Sequence, residues 1–90
     1  MRSRTNRDFR RRLRAQPAAV RQQAGVAYRA FQLNPFHSSL SFKAVAAWPG
    51  VYSARVGLKH RVLGRREEDD EIVWFWIGTH AEYDELLRRR

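Results

Sequence analysis

The fold is decided by the stretch Ile72-Val73-Trp74-Phe75-Trp76-Ile77-Gly78-Thr79-His80-Ala81-Glu82-Tyr83. Its first six residues are all β-branched or aromatic, which predicts a single β-strand. Because successive side chains of a strand point to opposite faces, alternation assigns one set to each face. One set is Val73, Phe75 and Ile77, and the other is Ile72, Trp74 and Trp76. Both sets are large and apolar, so both faces need cover, which is typical of a central strand.

The second half of this stretch predicts a short helix directly after the strand. Gly78 ends the strand, and Thr79 with Glu82 three residues later has the pattern of an N-cap and capping box. His80 and Tyr83 are then expected where the strand meets the helix, near the end of the sheet. One helix face would carry Tyr83, Leu86 and Leu87, and the arginines at 88–90 suit the negative end of the helix dipole.

The chain before residue 35 has the pattern of a helical hairpin. Thr5 or Asn6 can cap a first helix, whose narrow apolar stripe is Phe9 and Leu13. Gln16-Pro17 ends that helix, and Pro17 suits the first turn of a second one, which runs to Asn34-Pro35. The apolar positions of the second helix recur at helical spacing: Val20, Ala24, Ala27, Tyr28 and Phe31.

Three further strands are predicted between the hairpin and the opening stretch. They are Leu40 to Val45, Val51 to Val56 and His60 to Arg65, separated by turns at 48–50, 57–59 and 67–71. In the second of them, Tyr52, Ala54 and Val56 share one face, and Ser53 and Arg55 share the other. The sum is an α+β fold: an N-terminal helical hairpin packs on an antiparallel β-meander that is followed by a short C-terminal helix. The hairpin would cover one sheet face and leave the other partly open as the candidate site.

Composition limits the function classes. The 90 residues are expected to form one domain, residues 1–90, with a net charge of +9 that is mostly due to arginine. Asp8 is the only acid before Glu67. Such a surface favours nucleic acid or an acidic protein partner, although a solubilising charge excess is the simpler alternative. With no cysteine and three scattered histidines, we expect no metal site and no cofactor. No apolar run approaches the ~20 residues of a membrane span, so a cytoplasmic protein without membrane association is expected.

Taken in order, these pieces resemble the RelE/ParE toxins of bacterial type II toxin–antitoxin pairs. The pieces are Phe9-x-x-x-Leu13-x-x-x-Pro17, Asn34-Pro35, Leu40-Ser41-Phe42-Lys43, Tyr52-Ser53-Ala54-Arg55-Val56, His60-Arg61-Val62-Leu63 and Ile77-Gly78-Thr79-His80. The resemblance implies a compact fold like that of microbial ribonucleases, and a cognate antitoxin as partner. RelE-like members cut mRNA on the ribosome and so inhibit translation and arrest growth, whereas ParE-like members poison DNA gyrase. The family's short N-terminal strand is expected to be missing or very polar here, because Met1 to Arg4 shows no apolar alternation.

The same resemblance implies roles for individual residues. Arg61 matches the arginine that stabilises the scissile phosphate, and Arg55 is similar to a basic residue that contacts RNA. A lysine of the RelE toxins falls at Ser53, which is a departure. His80, in the Gly78-Thr79-His80 segment, is similar to a histidine that is catalytic in some members, although their accompanying aspartate is missing. Tyr83 aligns loosely with a catalytic tyrosine.

RNA cleavage of this kind needs a base for the ribose 2′-hydroxyl, a cation beside the phosphate and an acid for the leaving oxygen. The predicted catalytic residues are therefore His80, Arg61 and Tyr83, and the predicted RNA-binding residues are Arg55, Lys43 and Lys59. Structural alternatives remain for each: His80 could assist the helix cap, Arg61 could pair with the acidic turn, and Tyr83 could pack in the core. The arginines of the first helix are expected to lie away from the catalytic face. An endoribonuclease acting on ribosome-bound mRNA is the favoured function, and a non-enzymatic gyrase inhibitor is the alternative.

Overall fold

The computed structural model describes residues 1–68 and 70–89. In these ranges, five strands and three α-helices follow one another as β1 Arg2–Thr5, α1 Arg7–Arg14, α2 Ala18–Leu33, β2 Lys43–Ala44, β3 Val51–Val56, β4 His60–Glu67, β5 Glu71–Thr79 and α3 His80–Arg88. The strands form one sheet in the order β1-β5-β4-β3-β2, in which β1 runs parallel to β5 and the other pairs are antiparallel. The α+β architecture is therefore confirmed. Asp69 of the predicted acidic turn and Arg90 lie outside the described residues.

The helical hairpin of α1 and α2 covers one face of the sheet. The Asn6 side chain accepts a hydrogen bond from the Phe9 amide at 2.8 Å, so Asn6 caps α1. The centre of this core is a group of edge-to-face rings in which Phe31 lies 5.2 Å from Trp74 and 5.1 Å from Phe42, measured between centroids. Such ring pairs add about 0.5–1.5 kcal/mol each beyond the burial of their area.

The opposite face is partly covered by α3. The predicted capping box is confirmed: the Glu82 amide donates to Thr79 Oγ1 at 3.0 Å, and the Thr79 amide donates to Glu82 Oε1 at 2.7 Å. Tyr83, the buried residue of this helix, packs in a second apolar cluster with Val45, Val51 and Leu63, and Leu86 and Leu87 pack against that cluster. The expected helix face is therefore present, and it leaves the rest of this sheet face open.

Strict alternation along β5 is wrong, because the strand contains a β-bulge. Leu63 of β4 pairs with Trp76, whereas the next residue, Gly64, pairs with Trp74, so Phe75 is an extra residue in β5. After the bulge the faces exchange. Ile72, Trp74 and Ile77 pack on the hairpin side, and Phe75 and Trp76 pack on the α3 side. Strand β5 is an interior strand, as expected, since it lies between β1 and β4 and its two faces pack in separate apolar clusters.

The structure decides two further strand predictions: the N-terminal strand is present and very polar, and the strand predicted from Leu40 is shorter than expected. The N-terminal strand exists, because Arg2–Thr5 pairs with residues 71–74 of β5 through the backbone and needs no apolar side chains. Its polar, charged sequence suits an edge strand, where charge prevents pairing with other chains. At the other edge, β2 is only Lys43–Ala44, since the predicted start at Leu40 belongs to a 3₁₀ turn at Ser38–Leu40 and Ser41 adopts a left-handed conformation with φ of 43°.

Two glycines make a matched test of the packing between β5 and α3. A Cβ added to Gly78 would lie 2.5 Å from Trp76 Cη2 and 2.8 Å from Glu82 Oε1, so both the tryptophan and the capping box would have to shift. We expect Gly78→Ala to lower the free energy of unfolding by about 1–3 kcal/mol.

The control is Gly25→Ala in α2, where the added Cβ would meet only Arg29 Nη1 at an ordinary 3.7 Å. That change should raise stability by about 0.5–1 kcal/mol, because alanine favours the helix. Thermal unfolding of both variants measures the difference, and equal melting temperatures would contradict the described packing.

Candidate phosphate-binding face

Arg61 is a buried cation at the start of β4. Only 6% of the residue is exposed, and its Nη2 donates to Ser53 Oγ at 3.0 Å. Its Cζ lies 5.2 Å from the centroid of the Tyr83 ring, and its Nε is buried without a hydrogen-bond partner. Among residues 1–68 and 70–89, no carboxylate lies within 4.0 Å of this guanidinium. Ion pairing with the acidic turn is therefore not observed there, and Asp70 pairs with Arg66 instead, at 2.8 Å.

A second arginine lies directly opposite Arg61 on the neighbouring strand. Arg55 of β3 is its register partner. The Arg66 amide donates to Gly50 O at 2.8 Å, so the hydrogen-bonded pairs of this ladder fall at even positions of β3. Arg55 and Arg61 are thus a non-hydrogen-bonded pair, the kind in which side chains lie closest. Like charges directly opposite each other destabilise a sheet, and a bound anion would relieve the repulsion.

The remaining open part of this face adds positive charge and aromatic surface. Lys43 of β2 is exposed and pairs with Ser53, so it lies on the same face two residues from the arginine pair. Arg65, further along β4, places its Cζ 5.0 Å from the ring centroid of Phe75. We call the surface formed by Lys43, Arg55, Arg61 and Arg65 the basic face.

His80 lies at one end of the basic face. Its amide donates to Lys59 O at 2.8 Å, which ties the start of α3 to the turn between β3 and β4. The cap of α3 is made by the neighbouring threonine and Glu82, so the His80 side chain is not part of it. That side chain is 60% exposed, and its Nε2 lies 3.6 Å from Asp84 Oδ2. The imidazole can therefore meet a ligand from solvent, and Asp84, four residues on, was not singled out from the sequence although the spacing was visible.

Tyr83 lies between the two predicted catalytic groups. It is 8% exposed, its ring faces the Arg61 guanidinium, and its centroid is 6.1 Å from that of His80. The Tyr83 ring thus lies next to the side chains of both Arg61 and His80. These surroundings are those of a residue that packs in the core, which is the structural alternative given above for Tyr83.

One arginine of α1 reaches this part of the sheet, contrary to the expectation for that helix. Arg12 Nε donates to Ile77 O at 3.0 Å, where β5 extends beyond its pairing with β1. The Arg12 Cζ also lies 5.0 Å from the ring centroid of Trp76. The sequence could have indicated this contact, because Arg12 lies three residues after Phe9 and residues three apart share one side of a helix. Arg12 holds Trp76, whose ring covers Gly78 beside the arginine pair.

The described residues offer neither a cluster of metal ligands nor a membrane-spanning helix. Within the described ranges, no group of three or more histidine, aspartate or glutamate side chains is arranged to hold a metal ion. None of the described helices is long and apolar enough to cross a membrane.

The architecture matches solved RelE toxins. The archaeal RelE of a RelE–RelB complex from Pyrococcus horikoshii OT3 superposes with a TM-score of 0.68 at 16% identity, covering 87% of this chain and 92% of that one. The chain matched in the RelB–RelE antitoxin–toxin complex from Methanococcus jannaschii gives 0.70 at 16% identity, with 91% and 95% covered. The isolated E. coli RelE toxin gives 0.62 at 13% identity, with 98% and 96% covered.

These likenesses establish a RelE-type toxin fold. A family model described as the ParE-like toxin domain matches residues 18–85, which is most of the sequence. The chain therefore belongs to the RelE/ParE family of toxins, as the sequence motifs indicated. No curated protein matches it significantly.

Proposed function

We propose that this toxin is an endoribonuclease that cuts mRNA on the ribosome and thereby inhibits translation. The observation that carries the proposal is the buried Arg61, which has no carboxylate partner among the described residues and lies opposite Arg55. A buried cation without a counter-charge is costly to keep. A phosphodiester would supply the missing charge, and guanidinium groups bind its oxygens through parallel hydrogen bonds.

The chemistry follows from where the charged groups lie. The ribose 2′-oxygen attacks the phosphorus, the bond to the 5′-oxygen breaks, and the products are a 2′,3′-cyclic phosphate and a 5′-hydroxyl. Negative charge builds on the phosphate oxygens in the transition state, and Arg61 and Arg55 would stabilise it. His80 would take the proton of the 2′-hydroxyl, and a protonated imidazole can supply one to the leaving oxygen. Tyr83 would fix the position of Arg61 through its ring.

The rest of the basic face would bind the RNA backbone on either side of the cut. Lys43, on the edge strand, and Lys59, in the turn beside His80, are exposed and can contact neighbouring phosphates. Contacts of this kind release counterions, so binding should weaken steeply as salt rises. A cognate antitoxin rich in acidic residues would neutralise the same charge, and the cytoplasm, where ribosomes are, is the expected compartment.

His80 gives the first test of this function. Because its side chain is 60% exposed, His80→Ala should leave the fold intact while slowing cleavage by about 10²–10⁴-fold, the usual effect of losing a general acid or base. His37→Ala is the matched control, since His37 is an exposed residue at the 3₁₀ turn, on another part of the chain. Single-turnover cleavage on programmed ribosomes measures both variants. An undiminished rate for His80→Ala would remove His80 from the mechanism.

Inhibition of DNA gyrase without catalysis is the second candidate. It is favoured by the burial of Tyr83, because a tyrosine that is only 8% exposed has little access to a substrate. A binding toxin would need the basic charge and no proton transfer. Supercoiling by purified gyrase separates the two functions: inhibition by wild type and by His80→Ala alike, with ribosomal mRNA left intact, would select the gyrase inhibitor.

A further inference from the structure

The helical hairpin does not fill the space between its two helices and the sheet. A cavity of about 370 Å³ remains there, lined from the helices by Phe9, Ala24 and Tyr28 and from the sheet by Ala54 and Trp74. We call it the hairpin cavity. It lies on the sheet face opposite the basic face, and the proposed cleavage reaction does not use it.

The hairpin cavity exists because the inner side of α2 is small in its middle. Val20 and Phe31 are the buried side chains near the two ends of this helix. The residues that line the cavity between them are Ala24, Gly25, Ala27 and Tyr28. Three of these four residues have little or no side chain, and the surrounding structure closes only part of such a space. The sequence of α2 therefore keeps the cavity open.

The walls of the hairpin cavity suit an apolar ligand. Three aromatic rings of the hydrophobic core line it, those of Phe9, Phe31 and Trp74. The hydroxyl groups in the wall are already engaged. Tyr28 Oη donates to Ser3 O at 3.1 Å, and Thr5 Oγ1 accepts from an arginine of α1 at 3.1 Å. An apolar cavity of about 150 Å³ is enough to bind benzene, so this one has room for an apolar body of about ten carbon atoms.

Two arginines give the mouth of the hairpin cavity a positive charge. Arg21, an exposed residue that lines the cavity, lies one helix turn before Gly25. Arg29 lies one turn after it, and a Cβ built on Gly25 would be 3.7 Å from Arg29 Nη1. Among residues 1–68 and 70–89, no carboxylate lies within 4.0 Å of either guanidinium. Residues 9–66 contain no acid at all. An anionic head group would therefore have complementary charge.

We propose that the hairpin cavity binds a small amphipathic anion, with an apolar body of about ten carbon atoms and a carboxylate head, as in a medium-chain fatty acid. The apolar body lies among the core rings. The carboxylate stays at the mouth, because a charge cannot enter the apolar interior, and there it accepts hydrogen bonds from Arg21 and Arg29. The basic face stays free in this complex, so the proposal holds whether or not the toxin cleaves RNA.

Titration calorimetry with decanoate, kept below its micelle concentration, measures this binding. We expect a single decanoate per chain, with NOEs between its methylene protons and the rings of Phe31 and Trp74. Decanol, which has the same chain without the charge, should bind at least about tenfold more weakly, or by about 1.4 kcal/mol. Decanoate should also raise the melting temperature, because it binds only the folded state.

Two pairs of variants test the head-group contacts. Arg21→Gln combined with Arg29→Gln should weaken decanoate binding at least about tenfold and leave the binding of decanol nearly unchanged. Arg7→Gln combined with Arg14→Gln removes the same charge from exposed positions of α1 outside the cavity wall, and its effect should be much smaller. Equal losses with both pairs would show general attraction to positive charge and would overturn the head-group site.

Filling the space tests the cavity itself. Ala24→Leu places a larger apolar side chain in the hairpin cavity, so it should abolish decanoate binding without lowering the melting temperature. Ala19→Leu, at an exposed position of the same helix, is the matched control and should bind decanoate as the wild type does. The proposal is overturned if decanoate does not bind, if it binds without NOEs to Trp74, or if Ala24→Leu still binds it. A lower melting temperature for Ala24→Leu than for Ala19→Leu would overturn it too, because the space would then not exist.

Discussion

Replacing Arg61 with methionine should abolish RNA cleavage and growth arrest while leaving the melting temperature unchanged or raised. The side chain is buried, one of its nitrogens has no hydrogen-bond partner, and Arg55 lies opposite it. Methionine removes the desolvated charge and the repulsion but fills a similar volume, and such exchanges in protein interiors are often neutral or stabilising. Loss of one preorganised charge at a reacting phosphate costs about 10²–10³-fold in rate.

Stability and activity must be measured on the same preparations. Ser53 Oγ accepts the hydrogen bond from Arg61, so the double variant Ser53→Ala with Arg61→Met removes any penalty for leaving that hydroxyl unpaired. Arg29→Met, at an exposed arginine of α2, is the control for loss of one positive charge. If Arg61→Met still arrests growth, the phosphate site is wrongly placed. If both Arg61 variants melt several degrees lower, the arginine is a structural residue.

Replacing Phe31 with alanine should destabilise the protein by about 3–5 kcal/mol, the usual cost of deleting a buried aromatic ring. Phe31 is 2% exposed and joins α2 to the sheet through its contacts with Phe42 and Trp74. A domain of this size has a total stability of about 5–15 kcal/mol, so the variant would be close to unfolding at growth temperature.

Phe36→Ala is the matched control for the size and type of the change. Phe36 is 75% exposed and touches the edge of the same ring cluster, with its centroid 6.1 Å from that of Phe42. Its loss should change stability by no more than about 0.5 kcal/mol. Urea unfolding followed by tryptophan fluorescence gives both values. Equal midpoints for the two variants would show that the hairpin is not held to the sheet as described.

The parts of the fold that the sequence predicted are those with local signals. The capping box of Thr79 and Glu82 involves residues three apart, and Asn6 caps α1 by the same logic. Strand Val51–Val56 has a clear alternation and is observed with those bounds. In each case the residues that decide the structure are neighbours in sequence.

The corrections concern partners far apart in sequence. The bulge at Phe75 depends on Gly64, which lies against Trp74 across the strand pair. The polar strand β1 forms because the edge of β5, about seventy residues later, offers it hydrogen bonds. The alternation of side chains within one segment predicts neither the bulge nor the pairing of β1 with β5.

The sequence indicated which residues to consider for the candidate site. It did not indicate how buried they are or which residues surround them. Arg61 and His80 were chosen by motif, and the structure brings both against Tyr83. The burial of Arg61 and its register with Arg55 come from strand pairing, which single-segment patterns do not specify. Arg12 was missed because its contact with Trp76 joins α1 to the last strand.

The role proposed for the arginine pair on the basic face is to bind the scissile phosphate of ribosome-bound mRNA. Its most direct test is to map mRNA 5′ ends on translating ribosomes with wild-type protein and with Arg61→Met. We predict new ends carrying a 5′-hydroxyl with the wild type, and none above background with the variant. The same new ends with both proteins, or none with an active wild-type toxin, would show that Arg61 does not act on the phosphate in this way.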